Sequence, residues 1–273
     1  MLDSADTPPA HSSDTTAAAT LLLGKILFLL VWLAALFVAE RLRPAADRAP
    51  GTPADHRRRL GRNVGLWLIN SGLSPLVVAP LTVAAAAGAL AWRPAWWSGP
   101  AGLAADLILL DLLIYWWHRA NHQLPLLWRF HLVHHLDRTL DTTSALRFHF
   151  GEVLLSAVAR AAVILLLAFP LDSVLLFETL LLAAAIFHHS NLKLPPRLEA
   201  ALSRVVITPS IHWVHHRPVR ADTDSNYGTV LSVWDRLFAT RSQTRRRPDQ
   251  PIGAEGQKEL PFAALLLRPF RPQ

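Results

Sequence analysis

Eleven of the chain's thirteen histidines fall between residues 118 and 216, and their spacing is regular. His118 and His122 are four apart, and His131, His134 and His135 follow as H-x-x-H-H. His212, His215 and His216 repeat that pattern, and His149, His188 and His189 lie between. On a helix, positions i, i+3 and i+4 share a face, so each group can aim its imidazoles at one point. Neutral imidazole suits iron, zinc, copper and nickel. Eight to ten imidazoles exceed the four ligands of a zinc site. There is no H-E-x-x-H, so a zinc protease would lack its general base. Bis-histidine haem uses one facing pair and leaves the doublets unexplained. With no cysteine in the chain, iron–sulfur clusters and thiolate sites are excluded. Two irons with open positions, activating O2, fit this donor set best. His11 and His56 stand apart in polar surroundings and read as surface residues.

The elements that must carry such a centre read as membrane helices. Of 273 residues, 52% are hydrophobic and only 17% charged, against about 25% charged in soluble domains. Mean hydropathy is +0.27. The net charge of +7 comes from arginines beside apolar runs, the pattern of cytoplasmic helix ends. No nucleic-acid-binding motif is present, and nucleic acid is not an expected partner.

Taken in order, residues 1–19 carry Asp3, Asp6 and Asp14 with no basic residue, and read as a disordered tail. Thr20 to Ala39 is apolar over the roughly 20 residues a crossing helix needs. Glu40 to Arg62 is a polar loop with seven arginines, a cytoplasmic marker. Val64 to Ala91 is apolar but interrupted by Pro75 and Pro80, which implies a kinked helix or a helix plus re-entrant turn. Trp92, Trp96 and Trp97 form an outer aromatic belt. The chain returns inward over 101–117, and residues 153–169 and 173–187 form a hairpin divided at Pro170. On this topology every histidine from His118 onward lies on the cytoplasmic side. Asp111 sits two turns before His118 on the same face. It either orients an imidazole or caps and pairs near the interface.

The motifs together resemble the fatty acid hydroxylase/sterol desaturase superfamily of integral-membrane di-iron enzymes. Tyr115-Trp-Trp-His118-Arg-Ala-Asn-His122 is similar to its first histidine box, and Leu127-Trp-Arg-Phe-His131-Leu-Val-His134-His135 to its second. Arg147-Phe-His149-Phe-Gly-Glu152 resembles its Arg-x-His-x-x-Glu segment, and His189-Ser190-Asn191 the segment of an intermediate histidine. Thr208-Pro-Ser-Ile-His212-Trp-Val-His215-His216 resembles the third box. Asn226-Tyr227-Gly228 and Trp234-Asp235-Arg236-Leu237-Phe238 complete the signature over residues 100–240. Three positions depart from it: Ala239 stands for the usual Gly, Phe150 for a common Pro, and His188 is an extra histidine.

The resemblance implies that His118, His122, His131, His134, His135, His189, His212, His215 and His216 bind two non-haem irons, with His149 as a tenth ligand. It implies Arg147 and Glu152 as a supporting pair, and Asn226 as part of a polar shell or a ligand through water. The expected fold is all-α: a polytopic membrane bundle of about four or five spanning or re-entrant helices, under a cytoplasmic helical cap that holds the boxes. The expected division is a tail at 1–19, N-terminal membrane helices at 20–99, a catalytic region at 100–240 and a peripheral tail at 241–273. The expected reaction is hydroxylation or desaturation of a lipid (sterol, fatty acid or related) with O2 as co-substrate. Two electrons per turnover would come from a separate donor, a ferredoxin or cytochrome b5-like protein with its reductase. The Ala/Leu/Arg-rich composition suggests a bacterial inner membrane. Two other classes compete: a non-catalytic membrane metal-binding or transport protein, and a haem electron carrier. Transport favours charged residues deep in the spans, whereas these histidines gather at helix ends.

Overall fold

The computed structural model describes residues 11–47 and 51–271, with side chains from Leu23 onward. Among these residues the protein is helical, and its only strand-like pairings are two isolated bridges, Pro44 with Leu192 and Val206 with Leu231. Five segments are long and apolar enough to cross a membrane: Leu23–Leu42, Pro53–Ala87, Gly99–Gln123, Phe150–Leu167 and Leu171–His189. Leu27, Phe28, Val31, Leu76, Val83, Val158 and Leu166 stand exposed on their outer faces. Such faces are stable only against hydrocarbon, and this is a multi-pass membrane protein.

Helix α1 (His11–Leu42) begins earlier than the expected span. Residues 1–10 of the expected tail lie outside the described residues, and residues 11–19 are helical rather than disordered. No Gly or Pro interrupts the chain there. The expected arginine loop is only partly a loop. Arg48 and Pro50 lie outside the described residues, and α2 (Pro53–Leu73) starts inside the stretch. Thr52 caps α2 by accepting from Asp55 N, while the Asp55 carboxylate accepts from Thr52 N, and Pro53 occupies the first turn. One wide turn (Ser74–Val78) then leads into α3 (Ala79–Ala87). Pro75 and Pro80 lack the N–H an α-helix needs, and the widened turn absorbs the mismatch without ending the span. Of the two forms expected here, the chain adopts the kinked helix.

Helix α4 (Gly99–Gln123) crosses back and carries His118 and His122 at its far end. Helices α6 (Phe150–Leu167) and α7 (Leu171–His189) form the expected hairpin, turned by Ala168 in the left-handed region at φ +52°. The tryptophan belt sits on that turn. Leu90 N donates to Leu165 O (3.0 Å), Trp92 Nε1 to Leu166 O (2.7 Å) and Arg93 Nη1 to Ala168 O (3.2 Å). Asp106 is buried there, paired with Arg93 and accepting from Trp97 Nε1 and Ser173 Oγ. Between the ends, Glu178 of α7 bridges Lys25 of α1 and Arg160 of α6, each at 3.3 Å. Leu110, Ala161, Ile164, Phe169, Val174 and Phe177 fill the core among α3, α4, α6 and α7.

The opposite end carries a cap of short elements: α5 (Pro125–His135), a 3-10 turn (Thr142–Leu146), α8 (Pro196–Leu202), α9 (Pro209–His215), α10 (Arg220–Thr223), α11 (Val233–Leu237) and α12 (Phe262–Leu267). Residues from 241 onward are not merely peripheral. Ile252, Ala254 and Leu265 are buried, and Ala254 and Leu265 pack with Leu66, Leu132, Val133 and Leu136. The Arg/Pro-rich composition hid this, because the few apolar residues that pack are spread thinly along the segment.

Candidate metal centre

The cap brings nine imidazoles into two adjoining groups. His118, His122, His131, His135 and His215 form one, and His134, His189, His212 and His216 the other. Within each group the potential ligand atoms lie within 4.8 Å of one another. The two H-x-x-H-H motifs interlock. In each, the i,i+4 pair stays together (His131 with His135, His212 with His216), while the middle histidine crosses to the other group. The sequence suggested that each motif feeds one point. The helical face explains the difference: residues four apart point almost alike, whereas the position between them is rotated away.

Hydrogen bonds fix which nitrogen of many rings carries the proton. Nδ1 of His118 donates to Tyr227 O (2.8 Å), of His134 to Arg147 O (3.1 Å), of His189 to Ala185 O (2.7 Å) and of His215 to Ser225 O (2.7 Å). His131 Nδ1 donates to the Glu152 carboxylate (2.7 Å). A carbonyl or carboxylate oxygen can only accept, so Nε2 of each of these rings is a bare lone pair. Yet His134 Nε2 and His189 Nε2 stand 3.0 Å apart. Two lone pairs at that distance repel unless a cation lies between or beside them. His212 Nε2 stands 2.9 Å from His189 Nε2 and 3.1 Å from His216 Nε2, so four ring nitrogens converge. In the other group His131 Nε2, His215 Nε2 and both ring nitrogens of His122 and His135 are buried without a partner. Buried polar atoms left unpaired cost about 1–3 kcal/mol each. The donor set therefore fits two metal ions with largely or wholly imidazole ligands.

Burial, reinforced by neighbouring imidazoles, holds His134, His135, His212, His215 and His216 well below the ordinary histidine range. They are neutral at pH 7, as metal ligands must be. The sign of the pH dependence follows. The unfolded chain protonates these rings near pH 6.5 and the folded chain does not. Stability is therefore present above about pH 6.5 and lost as pH falls below it, by up to about 1.4 kcal/mol per pH unit per ring. Metal-free protein in detergent should melt well lower at pH 5.5 than at pH 7.5, followed by circular dichroism. An unchanged midpoint would contradict the buried neutral rings.

The other expected site residues take different places. His149 joins neither group. Its Nε2 donates to Leu266 O (3.1 Å) and its Nδ1 accepts from Gly151 N (2.9 Å), so neither nitrogen is free. His188 lies outside both groups, with Nδ1 on Thr229 O and its ring 4.0 Å from that of His212. Arg147 and Glu152 are not a pair. Glu152 holds His131, while Arg147 binds Val133 O, Asn63 Oδ1 and Glu259 Oε1. Glu259 lies 112 residues away in a segment whose packing the sequence did not reveal, so the arginine's partner was invisible.

Asp111 accepts from Leu231 N (3.0 Å), Val230 N (3.3 Å) and Trp234 Nε1 (2.8 Å), and from no imidazole. It pins the 230–234 segment onto α4. Asp111→Ala strands one buried donor, Trp234 Nε1, at about 1–3 kcal/mol, and two part-buried backbone N–H groups at less. We expect a lower melting temperature with the metal content retained. Loss of metal at full stability would contradict the pinning role. Asn226 adopts φ +52°, donates to Ile211 O and accepts from Ser242 N, a turn residue rather than part of either group.

Four supporting residues carried no sequence signal of their own beyond lying in or next to the motifs. Asp235 accepts from Tyr227 N, Gly228 N and Thr240 Oγ1, which presents Tyr227 O to His118. A Cβ on Gly228 would meet Asp235 Oδ2, Ile207 Cδ1 and Leu231 O, each at 2.8 Å, so only glycine fits. Ala239 has φ +53°, a conformation that favours the usual glycine of that position. Asp137, next to the second motif, is clamped by Arg59 through two bonds of 2.6 and 2.8 Å. Burial alone would raise its pKa, but Arg59 and Arg147 outweigh this and hold the carboxyl well below the usual range.

The family model described as fatty acid hydroxylase matches residues 103–240. Among curated proteins, the ornithine lipid hydroxylase OlsE of Rhizobium tropici is 29% identical over 72% of this chain and 58% of its own length. Human alkylglycerol monooxygenase is 29% identical over 53% of this chain and 31% of its own length. A very-long-chain aldehyde decarbonylase of Oryza sativa is 26% identical over 55% of this chain and 25% of its own. The chain thus matches between a quarter and some three fifths of these relatives. No solved structure matches.

Proposed function

Because the chain belongs to the fatty acid hydroxylase family, we propose that it is a membrane-bound oxidoreductase that inserts an oxygen atom from O2 into a C–H bond of a lipid. The nine clustered histidines hold two non-haem irons in this reading. The observation that carries it is the convergence of the Nε2 atoms of His134, His189, His212 and His216 at about 3 Å, with those of His134 and His189 both bare lone pairs. Iron bound by these imidazoles would supply O2 activation and cleavage of an unactivated C–H bond. The balance is R–H + O2 + 2 e⁻ + 2 H⁺ → R–OH + H2O. Desaturation uses the same oxidant and electrons and differs in where the second hydrogen is lost. The relatives named as hydroxylase and monooxygenase favour hydroxylation.

The chain's own residues orient and shelter the site. Glu152 and the carbonyls of Arg147, Ala185, Ser225 and Tyr227 fix the tautomer and ring plane of five imidazoles. Three of the nine rings sit at the ends of α4 and α7, and six on α5 and α9 of the cap beside them. A lipid can therefore reach the site from the bilayer with its polar end at the interface. In this reading the six described arginines of residues 40–62 mark this side as cytoplasmic. The Ala/Leu/Arg-rich composition favours a bacterial inner membrane, and in this reading the electrons come from a separate ferredoxin or cytochrome b5-like donor.

The test is purified enzyme in proteoliposomes of total bacterial lipid, reduced chemically and exposed to ¹⁸O2. One ¹⁸O atom in a lipid product, found by mass spectrometry, is expected. Unaltered lipid from protein with full iron content would overturn the proposal. Comparing lipid extracts of cells with and without the gene then identifies the substrate.

A further inference from the structure

The cap contains a cleft of about 180 Å³, lined by Trp128, Arg220, Thr223, Glu255, Gln257 and Arg268 among others. Its position relative to the metal groups is specific. The Trp128 ring lies 5.0 Å from that of His122 and 5.4 Å from that of His135, both in the five-histidine group. Trp128 also lines the cleft, and the Arg220 guanidinium stands 5.2 Å over its ring. Arg220 is held in place by Asp224 (2.5 Å), and its Nη2 donates to His122 O (3.2 Å). Arg268 has no carboxylate partner among the described residues. Its Nη2 reaches Gln257 at 3.4 Å, and its Nη1 is buried without a partner. The walls come from α5, α10 and the 254–268 segment, all of the cap and none of a membrane-spanning face.

We propose that this cleft is the electron-entry port, where an acidic one-electron carrier protein docks with a carboxylate on Arg268, beside Trp128. This rests on the reading of the site as a reduced-metal oxygenase. Arg268 offers an unneutralised cation, which complementary charge on a partner would satisfy. Electron transfer slows steeply with distance through matter. A cleft-lining aromatic ring within 5.4 Å of two ligand imidazoles offers a short path inward. Two reduced carriers, docking in turn, each lose one electron, and together they supply the pair in the balance above. A lipid headgroup suits the cleft less well, because Trp128 stands between it and the metal groups.

The experiment uses full-length protein in nanodiscs and a reduced plant-type [2Fe–2S] ferredoxin, an acidic carrier, as probe. Binding to the metal-free protein is measured first. Arg268→Glu should weaken it at least about tenfold, and added salt should weaken wild-type binding. Stopped-flow reduction of the iron-loaded protein follows. Trp128→Leu should slow reduction by ferredoxin at least tenfold at unchanged ferredoxin affinity. Trp128→Phe should recover much of the rate. Arg268→Glu should leave reduction by dithionite unchanged. If Trp128→Leu fails to load iron, Trp128→Phe and Arg268→Glu still decide the matter. Salt-independent binding, wild-type affinity in Arg268→Glu, or wild-type ferredoxin rates in Trp128→Leu would overturn the port. So would a changed KM for lipid with unchanged ferredoxin affinity. The functional reading fails separately, if dithionite-reduced wild type with O2 leaves its lipid unoxidised.

Discussion

His134→Ala and His215→Ala should each remove iron and product while leaving the protein folded and inserted. The two residues test different groups, since His134 belongs with His189, His212 and His216, and His215 with the other five-membered set. Each supplies one Nε2 lone pair aimed into its group, with its Nδ1 proton committed to a carbonyl, of Arg147 or of Ser225. Alanine deletes the ligand and leaves a neutral gap, so folding should survive better than loading. Iron should fall from two per chain to one or none, and turnover by more than about 100-fold, beyond what loss of a supporting partner costs. The five membrane-spanning segments contain neither residue, so yield in the membrane fraction should hold. Metal analysis beside the lipid assay reads both effects. Full activity in either variant would refute the grouping.

Arg147→Met should act on the fold before it acts on chemistry. The guanidinium is fully buried and spends its donors on Val133 O, Asn63 Oδ1 and Glu259 Oε1. Its backbone carbonyl, meanwhile, orients His134. Removing the side chain leaves Glu259 with Arg62 alone (3.2 Å) and Asn63 short of a donor. Glu259 is part-exposed and keeps Arg62, so the main cost is the loss of donors to Val133 O and Asn63 Oδ1, about 1–3 kcal/mol for each buried acceptor left unpaired. We expect a large fall in melting temperature and proteolytic release of the 252–270 segment. Glu259→Gln, which keeps a hydrogen-bond acceptor, should cost less. If Arg147→Met melted like wild type, the C-terminal segment would not be anchored as described.

The nine ligating candidates could be read from sequence because helical spacing and motif order reach across only a few residues. The kinked second span and the α6–α7 hairpin were likewise local, set by Pro75, Pro80 and Pro170. What could not be read depends on distant chain segments meeting. That His134 and His215 exchange groups depends on how α5 packs against α9. The partners of Arg147, Asp111 and Asp137 lie 112, 120 and 78 residues away in Glu259, Leu231 and Arg59. His149 matched a motif, yet its ring is spent on Leu266 and Gly151, which no spacing rule shows.

The central claim is that the two histidine groups hold two non-haem irons. The most direct measurement is iron content with an optical spectrum of the purified wild-type protein, expressed with ample iron. Two irons per chain and no Soret band are expected. A Soret band, or one iron or none with every histidine intact, would contradict the account.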